Sequence, residues 1–218
     1  RMYVIKCLDG DNLLGRWGNP VTGEVNVPQR IEAKDIPGFD DTWAAGQTDI
    51  KINGQLYMMY VTEGGRDTAD FYQTINIIKM TNPWTLVGQS SVICKPDYEW
   101  EMGGAAYNPT TGKAYPKVVE GGTAVYGSDG SIFNVYSGSG YWTTEYKLGQ
   151  MKYLGGDPLL MSSWEKLPTP ILSKSDKING CGHASYVTDT DGQGWICYHA
   201  YRGSTTTNAD GTRKARNA

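Results

Sequence analysis

Gly130-Ser-Ile-Phe-Asn-Val-Tyr136 decides the fold, because its pattern occurs three times. Gly54-Gln-Leu-Tyr-Met-Met-Tyr60 and Gly192-Gln-Gly-Trp-Ile-Cys-Tyr198 repeat it at spacings of 76 and 62 residues. Each copy reads turn glycine, two residues, aromatic, two residues, tyrosine. Short runs rich in β-branched and aromatic residues, bounded by Gly, Asn and Asp, read as strands. Asn53-Gly54 between two such runs is a hairpin signal, since both turn residues tolerate positive φ. A second element alternates with the first: Leu14-Gly-Arg-Trp17, Asn82-Pro-Trp84 and Ser162-Ser-Trp164. No sustained i, i+3, i+4, i+7 pattern with caps marks a helix.

A unit of about 60–80 residues with roughly four short strands points to an all-β chain, a β-propeller of four-stranded blades. A β-sandwich is the competing reading, but it does not require the Trp element to recur after each aromatic hairpin. The units comprise the tail of one blade (about 1–30), two full blades (about 31–100 and 115–175) and most of another (from about 178). A ring of blades needs at least four to close. Residues 1–218 are therefore expected to form a partial propeller domain, with the remaining blades supplied by the same longer chain or a neighbouring chain. Open strand edges would make these residues poorly soluble alone.

Composition narrows the partners. The net charge is -3 and no Lys/Arg stripe occurs, which argues against nucleic acid and anionic membranes. No apolar run of about 18 residues is present to span a bilayer. The opening Arg1-Met-Tyr-Val-Ile5 reads as the middle of a strand, so a leader could precede it. Cys7, Cys94, Cys181 and Cys197 form no CxxC pair, so their spacing is not that of a zinc site. A hairpin centred near 191–192 puts Cys197 opposite position 186, and a 181–197 bridge would need an irregular path. The even cysteine count is compatible with secretion.

Lys117-Val-Val-Glu-Gly-Gly-Thr-Ala-Val-Tyr126 places one acidic residue, Glu120, at the end of an apolar run and before two glycines. A carboxylate there is either a strand-end surface charge or a catalytic acid held over a pocket. Asp40-Asp41, in Gly38-Phe-Asp-Asp-Thr-Trp43, reads on its own as an acidic turn.

Several segments, in order along nearly the whole chain, resemble glycoside hydrolase family 43, in its arabinofuranosidase-like branch. Asn76-Ile-Ile-Lys-Met-Thr-Asn-Pro-Trp-Thr-Leu-Val-Gly88 is similar to its "IYIAKMSNPWTLTG" segment. Cys94-Lys-Pro-Asp-Tyr-Glu-Trp100 resembles "xxPxYxWE", and Val119-Glu-Gly121 resembles "NEGP". Tyr136-Ser-Gly-Ser-Gly-Tyr-Trp142 resembles "YSASGCWT", Gly180-Cys-Gly-His-Ala-Ser185 resembles "GPGHNS", and Tyr198-His-Ala200 resembles "YHA".

The resemblance implies a secreted five-bladed propeller acting on arabinose- or xylose-containing polysaccharides, with about three and a half blades present here, from the end of the second through most of the fifth. It implies inversion by two carboxylates about 6.5–9.5 Å apart. Glu120 matches the general acid. Asp40 matches the carboxylate of "IDGT" that tunes the acid, with Asp41 as the fallback. His183 matches the histidine near the propeller axis that supports a calcium ion, against the plainer reading of a hydrogen-bonded buried histidine. Trp43 and Trp142 could stack on sugar faces or pack in the core. Arg216 falls where the family has a basic residue near the sugar, and His199 reads as structural.

Three departures stand out. Gly122 replaces the usual Pro after Glu-Gly, so the acid would be held less rigidly. Cys181 and Ala184 replace the Pro and Asn of "GPGHNS". The family's general base lies in an "RDPxxxxxxG" context on the first blade, which these residues do not contain. Two readings follow: an enzyme whose base lies upstream of Arg1, or a propeller kept as an inactive carbohydrate-binding or structural module.

Overall fold

The computed structural model describes residues 2–31, 43–104, 107 and 111–216. The described residues are almost wholly β structure. Four short strands open the chain: β1 (Tyr3–Val4), β2 (Lys6–Cys7), β3 (Trp17–Gly18) and β4 (Gln29–Arg30), pairing β1 with β4 and β2 with β3. Two four-stranded antiparallel meanders follow. The first runs β5 (Ala44–Ile52), β6 (Gln55–Gly64), β7 (Tyr72–Asn82), β8 (Thr85–Cys94). The second runs β9 (Val119–Tyr126), β10 (Ile132–Gly138), β11 (Lys147–Tyr153), β12 (Trp164–Lys166). A hairpin of β13 (Ile178–Thr188) and β14 (Gly194–Arg202) ends the order. Among the described residues helical structure is limited to the 3-10 turns Glu99–Glu101 and Met161–Ser163.

These are the blades read from the repeat. Each aromatic copy is the first hairpin turn and second strand of a sheet. Its turn glycine sits in the left-handed region, with φ of 80° at Gly54, 84° at Gly130 and 81° at Gly192. Asn53 shares that region at 50°, as a two-residue hairpin turn requires. Trp84 and Trp164 lead into the outermost strands β8 and β12, and Trp17 opens β3.

The continuous apolar run in β6 follows from stacking. Successive side chains point to opposite faces of a strand. Tyr57 and Met59 join Ile75, Ile77, Val119, Tyr136, Met151 and Trp164 in the core between the two full blades. Met58 and Tyr60 join Met2, Ile31, Ile78 and Leu86 on the other face. A sheet buried on both faces needs no polar side. A smaller cluster of Val135, Leu148 and Ala184 packs the second full blade against β13. Among the described residues β14 bonds only to β13, and Trp195 and Ile196 on it remain exposed.

One register expectation needs correction. Cys197 pairs with Ser185, not position 186. The turn closes one residue earlier, because Asp189 Oδ1 accepts the N–H groups of Asp191 and Gln193 and organises a tight loop. All four cysteines are free thiols, with Cys7, Cys94 and Cys181 buried.

Candidate active site

The site is built on the inner strand β9. Its root is bonded to the neighbouring blade: Lys117 N–H donates to Phe71 O (2.9 Å), and Gln73 N–H donates to Lys117 O (2.8 Å). Val118 and Val119 are then fully buried. Beyond them the register with β10 breaks. Thr123 faces Val135, but Glu120 faces Ser137, so Gly121 and Gly122 together oppose Tyr136. This is a β-bulge, and Gly121 takes φ 61°, the left-handed position that such a bulge asks of glycine. Glu120, half-buried, is the residue the bulge re-aims.

Its carboxylate is met by a tyrosine. Tyr146, 0% exposed, donates its hydroxyl to Glu120 Oε1 at 2.7 Å. Burial, reinforced by the charge of Glu120, pushes the Tyr146 pKa well above the usual value, so the hydroxyl stays a donor. The ring lies on the backbone of Gly182, where a Cβ would come within 2.2 Å of it. The second glycine of Gly180-Cys-Gly-His183 is therefore demanded by Tyr146.

His183 follows, inside the second of two register shifts in β13, that between Gly182 and Ser185, with φ 53°. Its N–H donates to Ser137 Oγ at 2.8 Å. Its ring packs over Gly121, where a built Cβ would stand 3.1 Å from Nδ1. The rings of His183 and His199 stack with centroids 5.8 Å apart, and His199 stacks on Tyr146 at 6.3 Å. Arg216 closes the group. Its guanidinium lies 4.8 Å from the Tyr146 centroid and 5.0 Å from that of Tyr201. It donates to Gly180 O at 3.1 Å and stands 3.5 Å from His199 Nε2. Thus Glu120, His183 and Arg216, separated by up to 96 residues in the sequence, share one site with Tyr146 and His199.

A family model, "Glycosyl hydrolases family 43", matches residues 1–217. The chain belongs to that family. An extracellular exo-alpha-(1->5)-L-arabinofuranosidase of Streptomyces avermitilis is 27% identical over 203 residues, 91% of this chain and 36% of the relative. An alpha-L-arabinofuranosidase of Humicola insolens is 28% identical, over 78% of this chain and 33% of its own. The crystal structure of alpha-L-arabinofuranosidase from Lactobacillus brevis aligns with TM-score 0.66 and 25% identity, covering 98% of this chain and 64% of that one. This family 43 chain thus spans about a third of the length of those two curated relatives.

The other expected site residues fall less centrally. Trp142 lies in the turn after β10 and stacks on Tyr115 at 4.4 Å. With Phe71, Met102 and Lys117 it lines a cavity of about 150 Å³ between the two full blades. Trp43, 43% exposed, precedes the inner strand β5, as Glu120 stands near the start of β9. Asp40 and its fallback Asp41 lie outside the described residues. Gly122 has a local reason: a Cβ there would lie 2.6 Å from Asn134 Oδ1. A proline, as in the family pattern, would collide with that buried side chain.

Calcium takes about six to eight oxygen ligands. The described residues offer imidazoles beside the cationic Arg216, and no group of three or more His, Cys, Asp or Glu among them could hold a metal. They do not fit the ion by themselves, and no chemical step below runs through it.

His199 was legible only as a strand residue, and Tyr146 carried no motif signal. Both are recruited by packing. Burial, then the charges of Arg216 and His183, drive the His199 pKa from 6.5 to about 4. A depressed folded pKa means the unfolded chain takes up its proton first. The stabilising contribution is whole above pH 6.5 and declines as pH falls towards about 4. His199→Gln is expected to flatten stability over that window, measured by urea unfolding at stepped pH. An unchanged slope would show that His199 is not the titrating group.

Proposed function

We propose that this chain carries the acid side of an inverting glycoside hydrolase acting on arabinose- or xylose-containing polysaccharides. The observation that carries the reading is Glu120: a half-buried carboxyl on a glycine bulge, hydrogen-bonded by Tyr146, whose ring stacks on His199 and lies under the Arg216 guanidinium. In this reading Glu120 protonates the leaving oxygen. A carboxylate upstream of Arg1 activates water from the opposite face. Asp40 tunes the acid. Arg216, with its guanidinium beside Gly180 O and the Tyr146 ring, holds sugar hydroxyls, and Trp142 and Trp43 offer aromatic planes to sugar rings. His183 orients the floor of the site over Gly121. Names of relatives such as the extracellular Streptomyces avermitilis enzyme support secretion and an arabinofuranoside substrate.

Stereochemistry tests the reading. Proton NMR during hydrolysis of 4-nitrophenyl α-L-arabinofuranoside is expected to show β-arabinose as the first product. First appearance of the α anomer would refute a water-activating base opposite Glu120. Arabino-oligosaccharide binding with no turnover would instead support an inactive binding module.

A further inference from the structure

The segment Cys94–Trp100 and the residue after it, Glu101, have no part in the reaction above. Yet Glu101 is the one fully buried charged side chain among the described residues, 0% exposed. A buried carboxylate is tolerated only when paired and hydrogen-bonded. Oε1 accepts the Tyr136 hydroxyl at 2.6 Å. Oε2 accepts Lys166 Nζ at 2.9 Å and the N–H groups of Asp97 (2.7 Å) and Tyr98 (2.9 Å). The main chain of the same turn grips the site strands. Glu101 O accepts Ser139 N–H at 3.1 Å and Val118 N–H at 3.4 Å. Ser139 Oγ donates to Trp100 O at 2.6 Å and accepts Gly103 N–H at 2.9 Å.

These contacts fall at two informative positions. Val118 immediately precedes β9, two residues before Glu120. Tyr136 is the residue of β10 that faces the Gly121–Gly122 bulge. The two strands whose mismatch aims Glu120 are therefore held from behind by one side chain and its own carbonyl. Lys166 on β12 neutralises that side chain, and Trp100 stacks on Tyr136 at 6.1 Å.

We propose that Glu101 is a positioning residue for Glu120, fixing the β9–β10 bulge through Tyr136 and Val118 rather than merely joining the blades. The proposal rests on Glu120 being the general acid. It predicts damage confined to proton donation. An alkoxide leaving group needs the acid far more than nitrophenolate does.

Two variants test it, Glu101→Gln and the milder Tyr136→Phe, which leaves the Glu101–Lys166 pair intact. Each is assayed below its own melting temperature on 4-nitrophenyl α-L-arabinofuranoside and on an α-arabinofuranosyl disaccharide. Displacing a catalytic group by about 1 Å can lower rates by about 100-fold. On the disaccharide kcat is expected to fall about 10- to 100-fold at similar KM. On the nitrophenyl substrate it is expected to fall less than about 3-fold, because its leaving group departs with little proton transfer. Equal losses on both substrates overturn the proposal in favour of a structural clamp. The second readout is the ¹³C δ-carboxyl resonance of Glu120, assigned with Glu120→Gln. It should shift or broaden in both variants, and an unchanged line overturns the proposal. If the wild type, assayed with the residues upstream of Arg1 present, turns over neither substrate, the acid assignment fails, and the resonance alone decides whether Glu101 positions Glu120.

Discussion

Glu120→Gln is expected to lower kcat on an arabinofuranosyl disaccharide by about 10²–10⁴-fold, the usual worth of general acid help. The amide keeps the shape of the carboxyl and can still meet the Tyr146 hydroxyl, now 2.7 Å from Glu120 Oε1, so folding and KM should change little. What it lacks is a transferable proton. The loss should be smaller on a nitrophenyl substrate, whose leaving group departs with less assistance. The measurement is steady-state kinetics on both substrates, with circular dichroism to confirm the fold. Activity that survives unchanged would remove Glu120 from the mechanism. In that case the Gly121–Gly122 bulge would serve only to seat His183, whose ring packs over Gly121.

Lys166→Met should be the most destabilising single change considered. Lys166 reaches Glu101 at 2.9 Å and Asp97 at 3.1 Å, and also donates to Lys95 O. Its side chain is 13% exposed and that of Glu101 0%. Removing one partner of a buried pair leaves the other charge without compensation, at about 3–5 kcal/mol. Domain stabilities are only about 5–15 kcal/mol, so the midpoint of urea unfolding should fall sharply. The double variant Glu101→Gln/Lys166→Met removes both charges and should recover part of that loss, giving a measurable coupling energy. Asp97, 59% exposed, contributes little to this, because a solvated partner is screened. A loss below about 1 kcal/mol for Lys166→Met would mean the pair behaves as a surface ion pair. The packing of residues 94–101 against β12 would then rest on apolar contacts such as those of Trp100.

Much of the fold was legible along the chain. Asn53-Gly54 marked a two-residue hairpin because turn chemistry is local. The aromatic copies marked the second strand of each sheet because a four-stranded unit was repeated with its turn glycine intact. The Trp element marked entry into the outer strands. The Cys197 register was misjudged by one residue, since the side chain of Asp189 reshapes the turn in a way that spacing does not reveal. Glu120 could be singled out because a lone acid before two glycines in an apolar run is unusual, and because its neighbourhood resembles a known pattern. Asp40 rests on that resemblance alone.

Partners were not legible. Tyr146 meets Glu120 from 26 residues away, Glu101 meets Lys166 from 65, and Ser137 meets His183 from 46. His199, read as a plain strand residue, is drawn into the site by stacking between His183 and Tyr146. Periodicity and turn propensity are properties of a few consecutive residues, so the sequence by itself determined the strands and the blade units and singled out Glu120 as the candidate acid. Only blade-on-blade packing brings distant side chains within hydrogen-bond reach. The tertiary structure therefore decided what holds Glu120 in place, what keeps its tyrosine partner protonated, and how Glu101 is buried behind the bulge.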